Sequence, residues 1–223
     1  VQTCALPISP MRVIFKRNRF SVRRALLGYK SYHAIVPDEI PVLRLFLALV
    51  PPAPVRARLI NQMQGLASAR WQDDAQLHLT LRFIGETDRH GAEALLLALG
   101  AERFARIETR LDGFGWFDRK GRVDQLWAGL GPREPLAALH ARLDRLCVRA
   151  GFEPESRKFV PHVTLARFAR STAPDPAAIA GWMAAQPVLS SKPFVLDELL
   201  LMQSHLSRAG SVYEPIASFR MRD

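Results

Sequence analysis

Two tetrapeptides in this chain carry the same side-chain chemistry: His78-Leu79-Thr80-Leu81 and His162-Val163-Thr164-Leu165. Each lies in an apolar, β-favouring stretch, Leu77 to Ile84 and Phe159 to Phe168. Side chains two apart on a strand share a face. Each copy is therefore expected to present a histidine beside a threonine, with the residues between them turned into a core. An imidazole exchanges a proton near neutral pH, and a hydroxyl donates a hydrogen bond without carrying charge. If both strands face one cleft, the set suits in-line attack at phosphorus. One histidine takes a proton from the attacking oxygen while the other gives one to the leaving oxygen. The threonines and a cation then hold the equatorial phosphate oxygens as charge accumulates.

Other chemistries lack their residues. The chain has no Gly-x-x-x-x-Gly-Lys-Ser/Thr loop, no His-Glu-x-x-His, no paired Cys-x-x-Cys and no Gly-x-Ser-x-Gly elbow. No metal or other cofactor is expected.

The elements that must position these residues follow from pattern and punctuation. Leu43 to Val50 reads as a strand, with Leu43, Leu45, Leu47 and Leu49 on one face and Phe46 and Ala48 on the other. Pro51-Pro52 ends it, and a helix is expected from Pro54 to about Leu66. Gly85 is expected to close the first His-Thr strand, and Thr87 or Asp88 to cap a helix reaching about Arg103. A hairpin follows, from Ile107 through Gly121 to Leu130, and then a helix to about Ala150 with Leu136, Leu139, Leu143 and Leu146 at helical spacing. After the second His-Thr strand come a short helix near Ala177 to Ala185 and two strands, Phe194 to Gln203 and Val212 to Phe219. The fold class is α+β: two similar lobes of antiparallel strands with helices outside.

Residues 42–223 are read as one domain of two pseudo-symmetric lobes, and residues 1–41 as a poorly ordered extension. Val1 to Ile8 (VQTCALPI) resembles a translated sequencing adapter. Residues 1–40 hold seven Lys or Arg against two acids, about half of the formal charge of +10. That charge, with a pI near 10.5, points to a polyanionic partner, RNA first. Cys4 and Cys147 give neither metal spacing nor a disulfide framework, so a reducing compartment, the cytoplasm, is expected. No run approaches the roughly 18 apolar residues of a membrane span, and the N-terminus lacks a secretory pattern.

Taken together, Leu45-Phe46-Leu47-Ala48-Leu49, Leu77-His78-Leu79-Thr80-Leu81-Arg82-Phe83 with Ile84-Gly85-Glu86, Leu126-Trp127-Ala128-Gly129, and Pro161-His162-Val163-Thr164-Leu165-Ala166-Arg167 resemble the 2H phosphoesterase superfamily. Within it the chain is most similar to the RNA 2′,3′-cyclic phosphodiesterases, historically called 2′-5′ RNA ligases. The likeness runs from about Leu43 to Phe219. It implies metal-independent hydrolysis of a terminal 2′,3′-cyclic phosphate to a 2′-phosphate, on RNA 3′ ends or small cyclic nucleotides; a monomer is expected, though the sequence leaves the oligomeric state open. It further implies His78 as proton donor, His162 as proton acceptor, Thr80 and Thr164 as phosphate ligands, and Arg167 as the neutralising cation. Phe46 is a candidate for stacking on the terminal base or an ordinary core residue. Two alternatives stand beside this: ligase or 2′-5′ phosphodiesterase activity at the same site, and a non-catalytic RNA-binding module.

The remaining candidates read more plainly. Arg82 is expected either to reach phosphate or to lie on a solvated edge. His205 is a possible extra cleft group, His140 borders a helix's core face, His90 is exposed, and Trp116 and Trp127 are mostly packing residues.

Overall fold

The computed structural model describes residues 11–13, 42–207 and 210–223. Most of the expected extension, with Cys4 and His33, lies outside the described residues. Among the described residues the strands and helices are β1 (Met11–Val13), β2 (Leu43–Leu49), α1 (Ala53–Ile60), β3 (Ala69–Trp71), β4 (Leu79–Thr87), α2 (Arg89–Gly100), β5 (Ile107–Arg119), β6 (Arg122–Gly131), α3 (Arg133–Arg149), β7 (His162–Phe168), α4 (Pro176–Ala185), β8 (Phe194–Leu196), β9 (Glu198–Ser207) and β10 (Gly210–Arg220). A 3₁₀ turn, Asp74–Gln76, precedes β4. β1 pairs with the edge of β10, Met11 opposite Phe219, so the sheet takes three residues from the segment expected to be an extension.

The strands form one sheet ordered β1-β10-β9-β2-β4-β7-β6-β5-β8, with β3 also paired to β7. Every pairing of named strands is antiparallel. The two His-Thr strands thus sit at the centre, with β2, β9 and β10 beyond β4 and β6, β5 and β8 beyond β7, in the expected α+β arrangement of antiparallel strands.

One face of the sheet is closed by α2 and α3. Leu45, Leu47, Leu49, Leu79, Leu81, Val163 and Leu165 pack there against Leu95, Leu99, Leu136, Leu143 and Leu146. The leucines of α3 that the sequence places at helical spacing are all buried, and among them Cys147 has its thiol pushed up to about 11 by burial. Phe46 and Ala48 turn to the other face, as alternation requires, and pack with Met202.

Helix ends follow from capping. α1 stops at Ile60 rather than near Leu66, with only Leu59 buried to hold it. Asp88 caps α2 by accepting the Gly91 N–H at 2.8 Å. β4 does not end at Gly85. It runs on to Thr87 because a bulge opposite Leu45/Phe46 lets Gly85, at φ +85°, continue the ladder.

Candidate active site

The centre of the sheet is where the chemistry converges. β4 and β7 meet through a single pair, Leu79 opposite Val163, and each then continues beside other strands. Residues flanking an antiparallel pair share its opposite face. His78 therefore lies across from Thr164, and Thr80 across from His162. The two histidines are diagonal neighbours, a relation that sets positions about 7–8 Å apart. The expected pairing of the two motifs is realised in this cross-linked form.

Both imidazoles are held in the same way. The Nδ1 of His78 lies 2.7 Å from the Gln76 carbonyl, and the Nδ1 of His162 lies 2.7 Å from the Val160 carbonyl. A carbonyl only accepts, so each Nδ1 carries a hydrogen and each Nε2 is left as the reactive nitrogen. Each ring is also walled by two aromatics. Phe46 and Tyr213 stand with centroids 5.0 Å from His78, and Phe117 and Trp127 stand 4.9 and 5.9 Å from His162. Trp127 reaches this position because Gly115 lacks a Cβ, which would lie 2.2 Å from the indole.

The hydroxyls differ between the lobes. Thr80 Oγ1 is 3.1 Å from His78 Nε2, and Thr164 donates to Gln125 Oε1 at 3.3 Å. Burial lowers the pKa of His78 to about 4, with smaller lowering by the Arg167 and His162 charges, against a raising effect of the Gln76 carbonyl. Burial also lowers His162, again aided by Arg167.

Arg167 reaches the cleft through a distortion. With strict alternation, a residue five after His162 faces away from it. In the structure Leu126 opposes Ala166 and Trp127 opposes Thr164, so Leu165 is bulged and Arg167 returns to the cleft face. β4 carries the same device. Leu47 opposes Arg82 and Ala48 opposes Thr80, so Leu81 is bulged. Both strands thus aim residues i, i+2 and i+5 at the cleft: His78, Thr80 and Phe83 from one, His162, Thr164 and Arg167 from the other.

This bulge corrects the reading of Arg82, which neither touches the cleft nor lies on a solvated edge. Its side chain is 5% exposed, and Nε donates to Asp144 Oδ1 of α3 at 2.7 Å. Its other nitrogens donate to the Phe83 and Glu153 carbonyls. His140, one helical turn before Asp144, donates from Nδ1 to the carbonyl of the bulged Leu81 at 2.7 Å and stacks on Phe159 at 4.3 Å. It is a cleft-edge residue rather than only a border of the core. The matching carbonyl in the other lobe, that of Leu165, accepts the Gln72 backbone N–H at 2.8 Å.

Two cavities of about 440 and 510 Å³ meet at the histidine pair. His78, Thr80 and Arg167 line both; Phe46 lines the first, and His162 and Thr164 the second. Phe46 is 3% exposed and serves as a floor beneath His78. The aromatic that the bulge turns into both cavities is Phe83, with the Arg44 guanidinium 5.2 Å from its ring centre. His205 lines neither of these two cavities. Ser204 and Tyr213 face the first cavity, so the adjacent His205 points away, 3.5 Å from Glu214. Phe83, Tyr213, Gln125 and His140 are the residues missed from sequence; Phe83 alone had a signal, at the same offset from its histidine as Arg167.

Among the described residues no group of three or more His, Cys, Asp or Glu is placed to hold a metal ion, and no helix is long and apolar enough to cross a membrane.

The depressed histidines have a measurable consequence. Between pH 6.5 and about 4 the unfolded chain binds a proton that folded His78 refuses, so stability falls as pH drops through that window. Urea unfolding at pH 7 and 4.5 is expected to give a lower midpoint at pH 4.5, and His78→Asn to reduce that difference. An equal difference in the variant would remove His78 as its source.

Comparison with known proteins bears on the family and the fold. The family model described as the 2′-5′ RNA ligase superfamily matches residues 51–208. A protein of Aeropyrum pernix named RNA 2′,3′-cyclic phosphodiesterase is 32% identical over 145 residues, covering 65% of this chain and 81% of that protein. One of Escherichia coli with the same name is 28% identical over 181 residues, covering 78% and 93%. The crystal structure of E. coli LigT complexed with 3′-AMP superposes with a TM-score of 0.66 at 26% identity, covering 82% of this chain and 100% of that one.

Proposed function

This chain belongs to the 2′-5′ RNA ligase superfamily, and from that premise we propose that it hydrolyses the terminal 2′,3′-cyclic phosphate of RNA to a 2′-phosphate, without a metal, by acid–base work of His78 and His162. The observation that carries the reading is the mirrored pair itself: two imidazoles whose Nδ1 hydrogens are spent on carbonyls, so that each ring works through Nε2, that of His78 beside the Thr80 hydroxyl, in a shared cleft that also holds Arg167.

In this mechanism His162 Nε2 takes a proton from water as the water oxygen bonds to phosphorus. The P–O3′ bond breaks, and His78 Nε2–H gives its proton to O3′. Arg167 and the threonine hydroxyls bind the non-bridging oxygens, where charge rises most in the transition state. The product leaves His162 protonated and His78 neutral, and solvent exchange restores the starting state. The order of donor and acceptor is the family's. It places a demand on the substrate, because burial holds His78 well below its ordinary pKa in the free protein. The phosphate anion must raise it, so the substrate brings the acid into its working state. All these groups come from one chain, and a monomer suffices.

The terminal base is assigned to Phe83 and Tyr213 above the Phe46 floor, since stacking needs an accessible ring face. Stacking on an aromatic is worth about 1–3 kcal/mol per base, so Phe83→Ala is expected to raise KM about tenfold with kcat little changed. An unchanged KM would return the base to another surface.

The direct test incubates the protein, in excess EDTA, with a short RNA ending in 2′,3′-cyclic phosphate. The expected product carries a 2′-phosphate; a 3′-phosphate would reverse the assigned bond cleavage. Because two cavities share a wall of His78, Thr80 and Arg167, cleavage of an internal 2′-5′ linkage is the second reading, tested by the same assay on a 2′-5′ dinucleotide. RNA binding without turnover of either substrate would favour a binding module.

A further inference from the structure

Arg70 on β3 and Arg167 on β7 are direct cross-strand partners, with Gln125 on β6 next in the row. Like charges placed opposite each other on neighbouring strands repel. Among the described residues neither arginine is in an ion pair. Asp73, the acid that lines the same cavity as Arg70, has its carboxylate committed to the Gln76 N–H at 2.9 Å as a turn cap. Arg44 adds a third cation to this cavity wall. The first cavity thus sets three guanidiniums, Arg44, Arg70 and Arg167, against a single carboxylate, Asp73, and carries an excess of positive charge.

A terminal 2′,3′-cyclic phosphate carries one negative charge, and Arg167, which borders both cavities and acts on both histidines, meets it. Arg70 borders the first cavity only, on the side away from His162. We propose that Arg70 binds the phosphodiester on the 5′ side of the terminal nucleotide, so that the site is built for RNA chain ends in preference to cyclic mononucleotides. This rests on the reaction proposed above. A guanidinium on a phosphate is a strong charge-assisted contact that carries no base information. The preference is thus for chain length, independent of sequence.

The test compares a nucleoside 2′,3′-cyclic monophosphate with a trinucleotide ending in the same group, for the native protein and Arg70→Gln. The trinucleotide-to-mononucleotide ratio of kcat/KM is expected to fall about tenfold in the variant, mainly through KM. The salt dependence of trinucleotide affinity is expected to become shallower by about 0.7 in log–log slope, the value for one single-strand phosphate contact. Arg70→Lys should keep much of both, and Arg133→Gln, on α3 outside the cavities, should shift neither. Equal losses on the two substrates would overturn the proposal and place Arg70 on the reacting phosphate; no change would make it a solvated charge. Affinity is also read by fluorescence anisotropy with a labelled 3′-phosphorylated trinucleotide. That reading stands whether or not turnover is seen. Native protein that binds the trinucleotide without turning it over would count against the reaction alone, while affinity unaffected by Arg70→Gln would count against the subsite alone.

Discussion

His162→Ala and His78→Ala are each expected to lower kcat on a 2′,3′-cyclic phosphate RNA by between about 100- and 10,000-fold, the range of a positioned general acid or base. The expectation follows from how little else in the cleft can move a proton. Both Nδ1 positions are occupied, both threonines are neutral hydroxyls, and the Arg167 guanidinium offers only donors. The double variant should lose little more than the worse single one, because the two histidines act on one transition state. The pH profile distinguishes them from structural residues. A phosphate anion raises both imidazoles, so its binding near pH 6 takes up protons, visible in calorimetry as a dependence on buffer ionisation heat. His78→Ala should reduce that uptake. Single variants that retain native turnover would remove the two-histidine mechanism.

Asp144→Ala is expected to cost about 3–5 kcal/mol of stability, the usual effect of stripping the partner from a buried charge, which lowers Tm by on the order of 10 °C for a chain of this size. Arg82 is buried at 5% exposure, and its nearest carboxylate is Asp144; Glu155 lies farther, at 3.9 Å. The same Asp144 oxygen accepts the Glu155 backbone N–H at 3.0 Å, so it also holds the segment that leads into His162. Replacing both partners by apolar residues, Arg82→Met with Asp144→Leu, should recover much of the loss, since no unpaired charge is then left inside. A Tm within 2 °C of native for Asp144→Ala would mean that Glu155 and water already satisfy the guanidinium. Thermal unfolding of the single and double variants decides it.

The His-x-Thr repeats were legible in the sequence because strand periodicity is local. Alternation alone puts His78 with Thr80 and His162 with Thr164, and it separates the leucines of β2 from Phe46 and Ala48. The hydrophobic spacing of α3 and the Asp88 cap were legible for the same reason. What alternation cannot foresee is a bulge, because the extra residue exists only relative to a partner strand. The bulges at Leu81 and Leu165 carried Arg82 into an ion pair with α3 and turned Phe83 and Arg167 into the cleft. The placement of Phe83 above the buried Phe46, of Gln125 beside Thr164, of His140 on the bulge carbonyl and of Arg70 opposite Arg167 depends on strand order and register, which bring together residues tens of positions apart. The residue types that can perform the chemistry were thus determined locally, by a period of two. Their partners, and the faces to which the bulges turn them, were decided by pairing across the sheet.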